Sequence, residues 1–459
     1  MTWLKEIRCG AVSLSGWRWG NAVIAVVVGV TGVTAYQPAQ ALPTFARQTG
    51  QSCVACHAGG QYPELTPYGR MFKLTGYTMG EGGNPLSAML VATNTKTSNP
   101  AGDGYGSNAS NRDGQSILDS ASIFLAGKIT DNMGAFAQYT QSFPDGGSFA
   151  ADNFDLRYAD RSIDANRDVV WGVTLNNNPS VQDVWNSAPA WSSPYMNTTQ
   201  GAFGGLPYTT LLEGGLGQKV AGVGAYVYID KTYYAELTSY QAARDALSFM
   251  SYPTQIGDAT HAFGGTYVDG SNLYWRMAYT REWDAHNIMV GAFGLDAKTL
   301  ADDGYGVPTA SLGNLRYHDV GFDAQYQYLL APHAFTAQIR AVHEKIDDNQ
   351  VTASYSGAAT LDTWFAKTSY VYLQTFGASL TYRNVSGSAD SGVYTYNSAG
   401  VPDSVVWTPE LFYLINQNMR IGLQFNLFTK YLGNTSNYDN AGRNANDNNY
   451  TYAYLWAAY

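Results

Sequence analysis

MRIGLQFNLFTKY, residues 419–431, alternates with a period of two. Met419, Ile421, Leu423, Phe425, Leu427 and Tyr431 share one face with Thr429. Arg420, Gly422, Gln424, Asn426 and Lys430 share the other with Phe428. Successive side chains of a strand point to opposite faces, so one face here meets an apolar medium and the other a wet one. Residues 319–328 repeat the pattern, with Val320, Phe322, Ala324, Tyr326 and Tyr328 set against Asp319, Gly321, Asp323, Gln325 and Gln327.

Working outward, the same dyad predicts sixteen strands, at 86–97, 116–129, 134–143, 153–162, 168–176, 219–229, 232–241, 271–283, 286–298, 316–329, 333–346, 361–373, 375–385, 403–415, 419–432 and 449–459. Short connections, such as 130–133, 230–231 and 416–418, alternate with long ones rich in Gly, Asn, Ser and Asp. Strands of ten or so residues joined by alternating short turns and long loops predict an all-β, 16-stranded antiparallel outer-membrane β-barrel. The even strand count puts both barrel termini on the periplasmic side. A soluble sandwich or propeller fits less well, because no blade-length repeat is present. Pro409 lies inside a predicted strand and should cost one ladder bond unless it sits at a bulge. The segment 177–218, with Trp185 and Trp191, is too long for a tight loop. It either folds into the lumen or extends outside as an exposed loop.

Composition agrees with this fold class. The chain has 459 residues with 14% charged and 14% aromatic side chains, including 35 Tyr, and 48 Gly. Ordinary soluble domains carry about 25% charged residues. Mean hydropathy is -0.22, as expected where apolar and polar positions alternate. A net charge of -10 excludes nucleic acid as an expected partner and leaves membrane lipids as one.

The N-terminus reads differently. Lys5, Arg8 and Arg18 precede an apolar run over 23–33, and Ala39-Gln40-Ala41 is a small-x-small cleavage site. Residues 1–41 therefore read as a signal peptide. The apolar run is short for the alternative, a membrane anchor. Residues 42–84 form a compact segment preceding the barrel region 85–459. Thr66 followed by Pro67 predicts a helix start, and Gly76 a stop, for a short helix over 67–75.

Cleavage of the leader removes Cys9 and leaves only Cys53 and Cys56, in Cys53-Val54-Ala55-Cys56-His57. In an exported chain this spacing allows a disulfide or a covalently attached haem c. The second reading is favoured because the strand–helix–strand context of a redox dithiol is missing. Two thiols one turn apart can add to the two vinyl groups of one haem, and His57 then reaches the iron as proximal ligand. Met79, in a flexible Gly-Tyr-Thr-Met-Gly stretch, is the preferred distal ligand, with Met71 as the alternative. Arg70 and Lys73 are candidates to pair with haem propionates, or plain helix charges. A segment this short cannot bury a porphyrin alone, so the barrel should supply the missing wall and the segment should plug the lumen. His261, His286, His318, His333 and His343 are scattered without ligand spacing.

Residues 45–50, FARQTG, the 53–57 motif, and residues 62–77, YPELTPYGRMFKLTGY, together resemble the fused monohaem cytochrome–porins of the outer membrane. These are the proposed iron oxidases of iron-oxidising bacteria. The close resemblance covers about residues 43–80; the barrel half matches only in size, strand count and turn style. It implies one-electron oxidation of extracellular Fe(II), with the electron passed to a periplasmic cytochrome or copper protein. It also implies that Cys53 and Cys56 attach the haem and His57 binds its iron. Another extracellular donor, such as a mineral, an electrode or a sulfur compound, and a plain diffusion porin are the alternatives.

Overall fold

The computed structural model describes residues 43–60, 63–99, 113–143, 149–187, 206–251, 267–300, 310–349, 358–390 and 400–459. The expected leader, Trp191 and His261 lie outside the described residues. The strands are β1 (Leu86–Thr97), β2 (Ser116–Lys128), β3 (Met133–Ser142), β4 (Ala150–Ile163), β5 (Asp168–Asn176), β6 (Val220–Ile229), β7 (Tyr233–Ala242) and β8 (Asn272–Trp283). They continue with β9 (His286–Leu300), β10 (Asn314–Leu330), β11 (His333–Asp348), β12 (Ala358–Tyr372), β13 (Phe376–Gly387), β14 (Ser404–Asn416), β15 (Met419–Lys430) and β16 (Tyr450–Ala458). The pair Tyr267–Val268 bonds to β9 at Leu300 and Thr299, two residues out of the β8 register, and is an interrupted extension of β8. Among the described residues the barrel thus has sixteen strands.

Every strand pairs antiparallel with its neighbours, and β1 pairs with β16 from Met89–Ala458 to Thr97–Tyr450, which closes the ring. Closure leaves no unpaired edge. Pro409 keeps Leu380 of β13 as partner, while the β14–β15 ladder has no pair at Thr408 or Pro409. The missing N–H therefore falls on one ladder only.

The alternation has the sense required by a bilayer. On β15, Ile421, Leu423, Phe425 and Leu427 are 36–42% exposed, whereas Gln424 and Asn426 are fully buried. Leu237, Met277, Phe322, Trp364 and Leu411 continue the exposed apolar surface. Near the short-turn end, rings pair across neighbouring strands: Tyr233 with Tyr279, Trp283 with His286, His333 with Tyr370, and Phe376 with Tyr413. An apolar belt bordered by aromatics around a polar interior is the architecture of an outer-membrane, porin-like barrel. Among the described residues no helix is long and apolar enough to cross a membrane.

Two segments lie against the inward faces of the strands. One is 43–84, with helices α1 (Pro43–Thr49), α2 (Cys53–Cys56) and α3 (Pro67–Leu74). It meets the wall near the short turns. Thr44 Oγ1 donates to Ala126 O at 2.8 Å and Tyr77 Oη to Asp155 Oδ2 at 2.5 Å. Arg70 donates to Gln327 and Asn287, each at 3.1 Å.

The other segment belongs to the long β5–β6 connection. Its described parts, 177–187 with α4 (Pro179–Gln182) and 206–219, turn inward. Val184, Trp185 and Leu212 are buried, and the backbone N–H of Leu212 reaches Asp319 Oδ2 at 2.9 Å. Of the two expectations for 177–218, the inward one describes these residues.

Candidate functional site

Local sequence dictates the shape of the 53–66 turn. After α2, His57 leaves helical geometry (φ -118°, ψ 134°) while its N–H still reaches Cys53 O at 2.8 Å. Ala58 N–H donates to Glu64 O and Thr66 N–H to Cys56 O, both at 2.9 Å, so the chain folds back across the motif. Thr66 then caps α3 by accepting from Gly69 N–H at 3.1 Å. Gly69 is needed there, because a Cβ would drive into the Cys56 carbonyl. Gly59 has φ +66°, and an added Cβ would meet Val371 of β12 at 2.7 Å. The motif is thereby pressed between α3 and the barrel wall.

Cys53, Cys56 and His57 all line one cavity of about 530 Å³. Its other walls include Phe45 and Phe72 from the segment and Met89, Phe124, Phe136 and Trp456 from the barrel. The volume suits an organic ligand of porphyrin class better than a lone ion. Phe45 stacks on Tyr77 at 5.4 Å and packs edge-on to Phe72 at 5.0 Å, so the aromatic wall is continuous. Gln48 binds α1, the 77–79 turn and β2 together. Its Nε2 donates to Tyr77 O at 2.6 Å and Met79 O at 2.9 Å, and its Oε1 accepts from Lys128 N–H at 2.8 Å.

Burial pushes the Cys56 thiol up to about 11, helped by neighbouring Cys53, and both cysteines are thiols. Burial also pushes the His57 imidazole down to about 4, against an opposing pull from Glu64. A neutral imidazole is the form that binds a metal. Glu64 itself pairs with Lys367 of β12, which ties the motif turn to the wall. The donor set, two thiols on one helical turn beside a neutral imidazole, fits covalent attachment of a porphyrin and ligation of its iron.

The other candidates fall elsewhere. Met71 packs against the cluster containing Leu74, Val184 and Trp185, and Met79 against that containing Phe72 and Phe136. Neither lines the cavity. Arg70 is committed to wall residues. Lys73 lines the cavity, but its Nζ donates to Val181 O at 2.5 Å and Asp183 O at 2.9 Å, and burial pushes it down to about 8. Met89, at the start of β1, lines the cavity and was missed by the sequence reading. The available clue was parity, since it shares the inward face of Ser87, Val91 and Thr93.

Among the described residues no group of three or more His, Cys, Asp or Glu could hold a bare metal ion. The described barrel histidines bond locally instead, His286 to Tyr326 and His333 to Tyr370, each at 2.7 Å, His343 to Asp362 at 2.7 Å and His318 to Asp296 at 3.0 Å.

No protein-family model matches the chain, and no curated protein sequence matches it. Among solved structures it is similar to the outer membrane channel DcaP of Acinetobacter baumannii, with a TM-score of 0.46 and 9% identity over 82% of this chain and 96% of that one. It is also similar to OmpT, an outer membrane protein of Vibrio cholerae, with a TM-score of 0.43 and 10% identity over 82% and 98%. An anion-selective porin from Comamonas acidovorans gives 0.42 and 11% over the same shares.

Proposed function

We propose that this chain is an outer-membrane c-type cytochrome. In this reading residues 42–84 hold one haem c as a plug inside the barrel, and the protein oxidises extracellular Fe(II) and passes the electron to a periplasmic cytochrome or copper protein. The observation that carries the proposal is that Cys53, Cys56 and His57 line one cavity whose wall is completed by barrel strands and by Val181, Asn186 and Gln218 of the β5–β6 connection.

When bound, the haem supplies a one-electron couple. The chain's own residues do the rest. Cys53 and Cys56 would fix the group by two thioethers, and neutral His57 would bind its iron. Phe45, Phe72, Phe124, Phe136 and Trp456 would exclude water, which tunes the potential. The 43–84 segment meets the wall at the short-turn end, the periplasmic side if the usual loop asymmetry holds. An apolar band about 25 Å tall separates the two compartments, too far for one fast hop from outside the cell to a periplasmic carrier. A redox group inside the lumen shortens that span. A diffusion porin is the weaker reading, since two inserted segments occupy the interior.

The test is a haem stain of the denatured, purified chain, followed by addition of Fe(II) to the oxidised protein. Covalent stain and a reduced haem spectrum are expected. The double variant Cys53→Ala, Cys56→Ala should lose the stain while the barrel still folds. An unstained wild type would overturn the cytochrome reading; a stained protein that Fe(II) does not reduce would leave it and remove iron as the donor.

A further inference from the structure

We infer that Met89 of β1, and neither methionine of the N-terminal segment, supplies the second axial ligand to the haem iron. This rests on the cytochrome reading above. Among the described residues Met89 is the one methionine lining the cavity that also holds Cys53, Cys56 and His57. Met71 faces the Trp185 cluster, and Met79 is held by its carbonyl to Gln48 outside the cavity.

The other ligating side chains around the cavity have prior commitments. Tyr77 Oη donates to Asp155. Lys73 Nζ donates to two carbonyls of the inserted loop. Asp152 accepts from Thr140 at 2.8 Å and Gln218 at 3.0 Å. A thioether is neutral and soft, and its sulfur keeps a second lone pair when one is engaged, so it suits haem iron.

Met89 is also held in place. It is inward-facing on a strand paired on both sides, with Ala458 of β16 and Ser122 of β2. Trp456 Nε1–H donates to its sulfur at 2.7 Å. A thioether sulfur has a second lone pair, which stays available to a metal. A ligand fixed by two ladders and an indole N–H is more rigid than one in the Gly-flanked 76–80 turn. The arrangement makes the iron site composite: the segment gives His57, and the barrel gives Met89.

The experiment compares haem-loaded, full-length wild type with Met89→Leu, Met79→Leu and Met71→Leu. Leu conserves volume and removes the sulfur. The readouts are the thioether-to-ferric-iron charge-transfer band and the midpoint potential. Wild type, Met79→Leu and Met71→Leu should show the band, and Met89→Leu should lose it with a lowered potential. Met89→His should instead give the low-spin ferric EPR spectrum of two imidazoles, which guards against a Leu variant that fails to fold. Retention of the band in Met89→Leu, its loss in Met79→Leu or Met71→Leu, or a haem-bearing wild type without it overturns the assignment. A wild type without covalent haem is a different failure, visible by stain, and removes the cytochrome reading with it.

Discussion

The two segments that lie against the inward strand faces touch each other through Lys73 and Asn186, yet they are packed differently. At the long-loop end, 177–187 and 206–219 are locked by buried charge. Arg276 pairs with Asp323 at 2.6 Å and lies 5.1 Å from the Trp185 ring centre, and Arg340 pairs with Glu213 at 2.6 Å. Leu211 N–H donates to Glu344 at 2.5 Å. At the short-turn end, Phe45, Phe72 and Tyr77 of 43–84 line a cavity of about 530 Å³ against the wall. Charge pairs neutralise one another in this polar lumen, although Arg276 Nη1 and Trp185 Nε1 are left without a hydrogen-bond partner. Rings set around a void leave room for a guest.

The largest effect should come from removing both fillings. In planar bilayers the full-length chain should show no porin-sized conductance, and a chain lacking both 43–84 and 177–218 should conduct like an open porin. Each single deletion should give less than the double. An open-porin conductance from the intact chain would break the comparison, because the segments would then not fill the lumen in the membrane. The next effect separates the ends. Arg276→Met strands Asp323 and Asp183 in a buried setting, where an uncompensated charge costs about 3–5 kcal/mol. The heat-modifiability midpoint in detergent should fall, while on the proposed cytochrome reading haem content should stay at the wild-type level. Loss of haem in this variant would mean that the two ends are one cooperative unit.

The sequence carries the wall far better than the filling. The 86–97 and 168–176 strands are found as expected, and the others lie within a few residues of their expected bounds. Period-two alternation is a direct consequence of strand geometry, so it survives reading without a structure. The 67–75 helix is equally legible, because Thr66 and Pro67 mark its start, and it runs Pro67–Leu74. The inward course of 177–187 is not. Asn177, Asn178, Gln182 and Asp183 read as loop residues, yet all are buried, because this interior is polar and does not select apolar side chains. Met89 escaped for a related reason. Proximity to the motif along the chain favoured Met71 and Met79, whereas barrel closure brings β1 beside the motif from outside the segment.

The smallest expected effect tests how 43–84 is held to the wall. Tyr77 Oη donates to Asp155 Oδ2, and Asp155 also accepts from Arg157 Nε at 2.8 Å and Thr174 Oγ1 at 2.9 Å. Tyr77→Phe removes one of three bonds to this carboxylate and keeps the ring stacked on Phe45. A hydrogen bond to a charged group contributes about 1.5–3 kcal/mol. Because Asp155 keeps two partners, the loss should fall near the lower end of that range. Amides of 76–80 should exchange roughly tenfold faster, since about 1.4 kcal/mol corresponds to a factor of ten. On the proposed cytochrome reading the haem stain should not change, because the cavity wall is intact. Unchanged exchange would show that the aromatic stack and Gln48 hold this turn without its bond to the buried carboxylate.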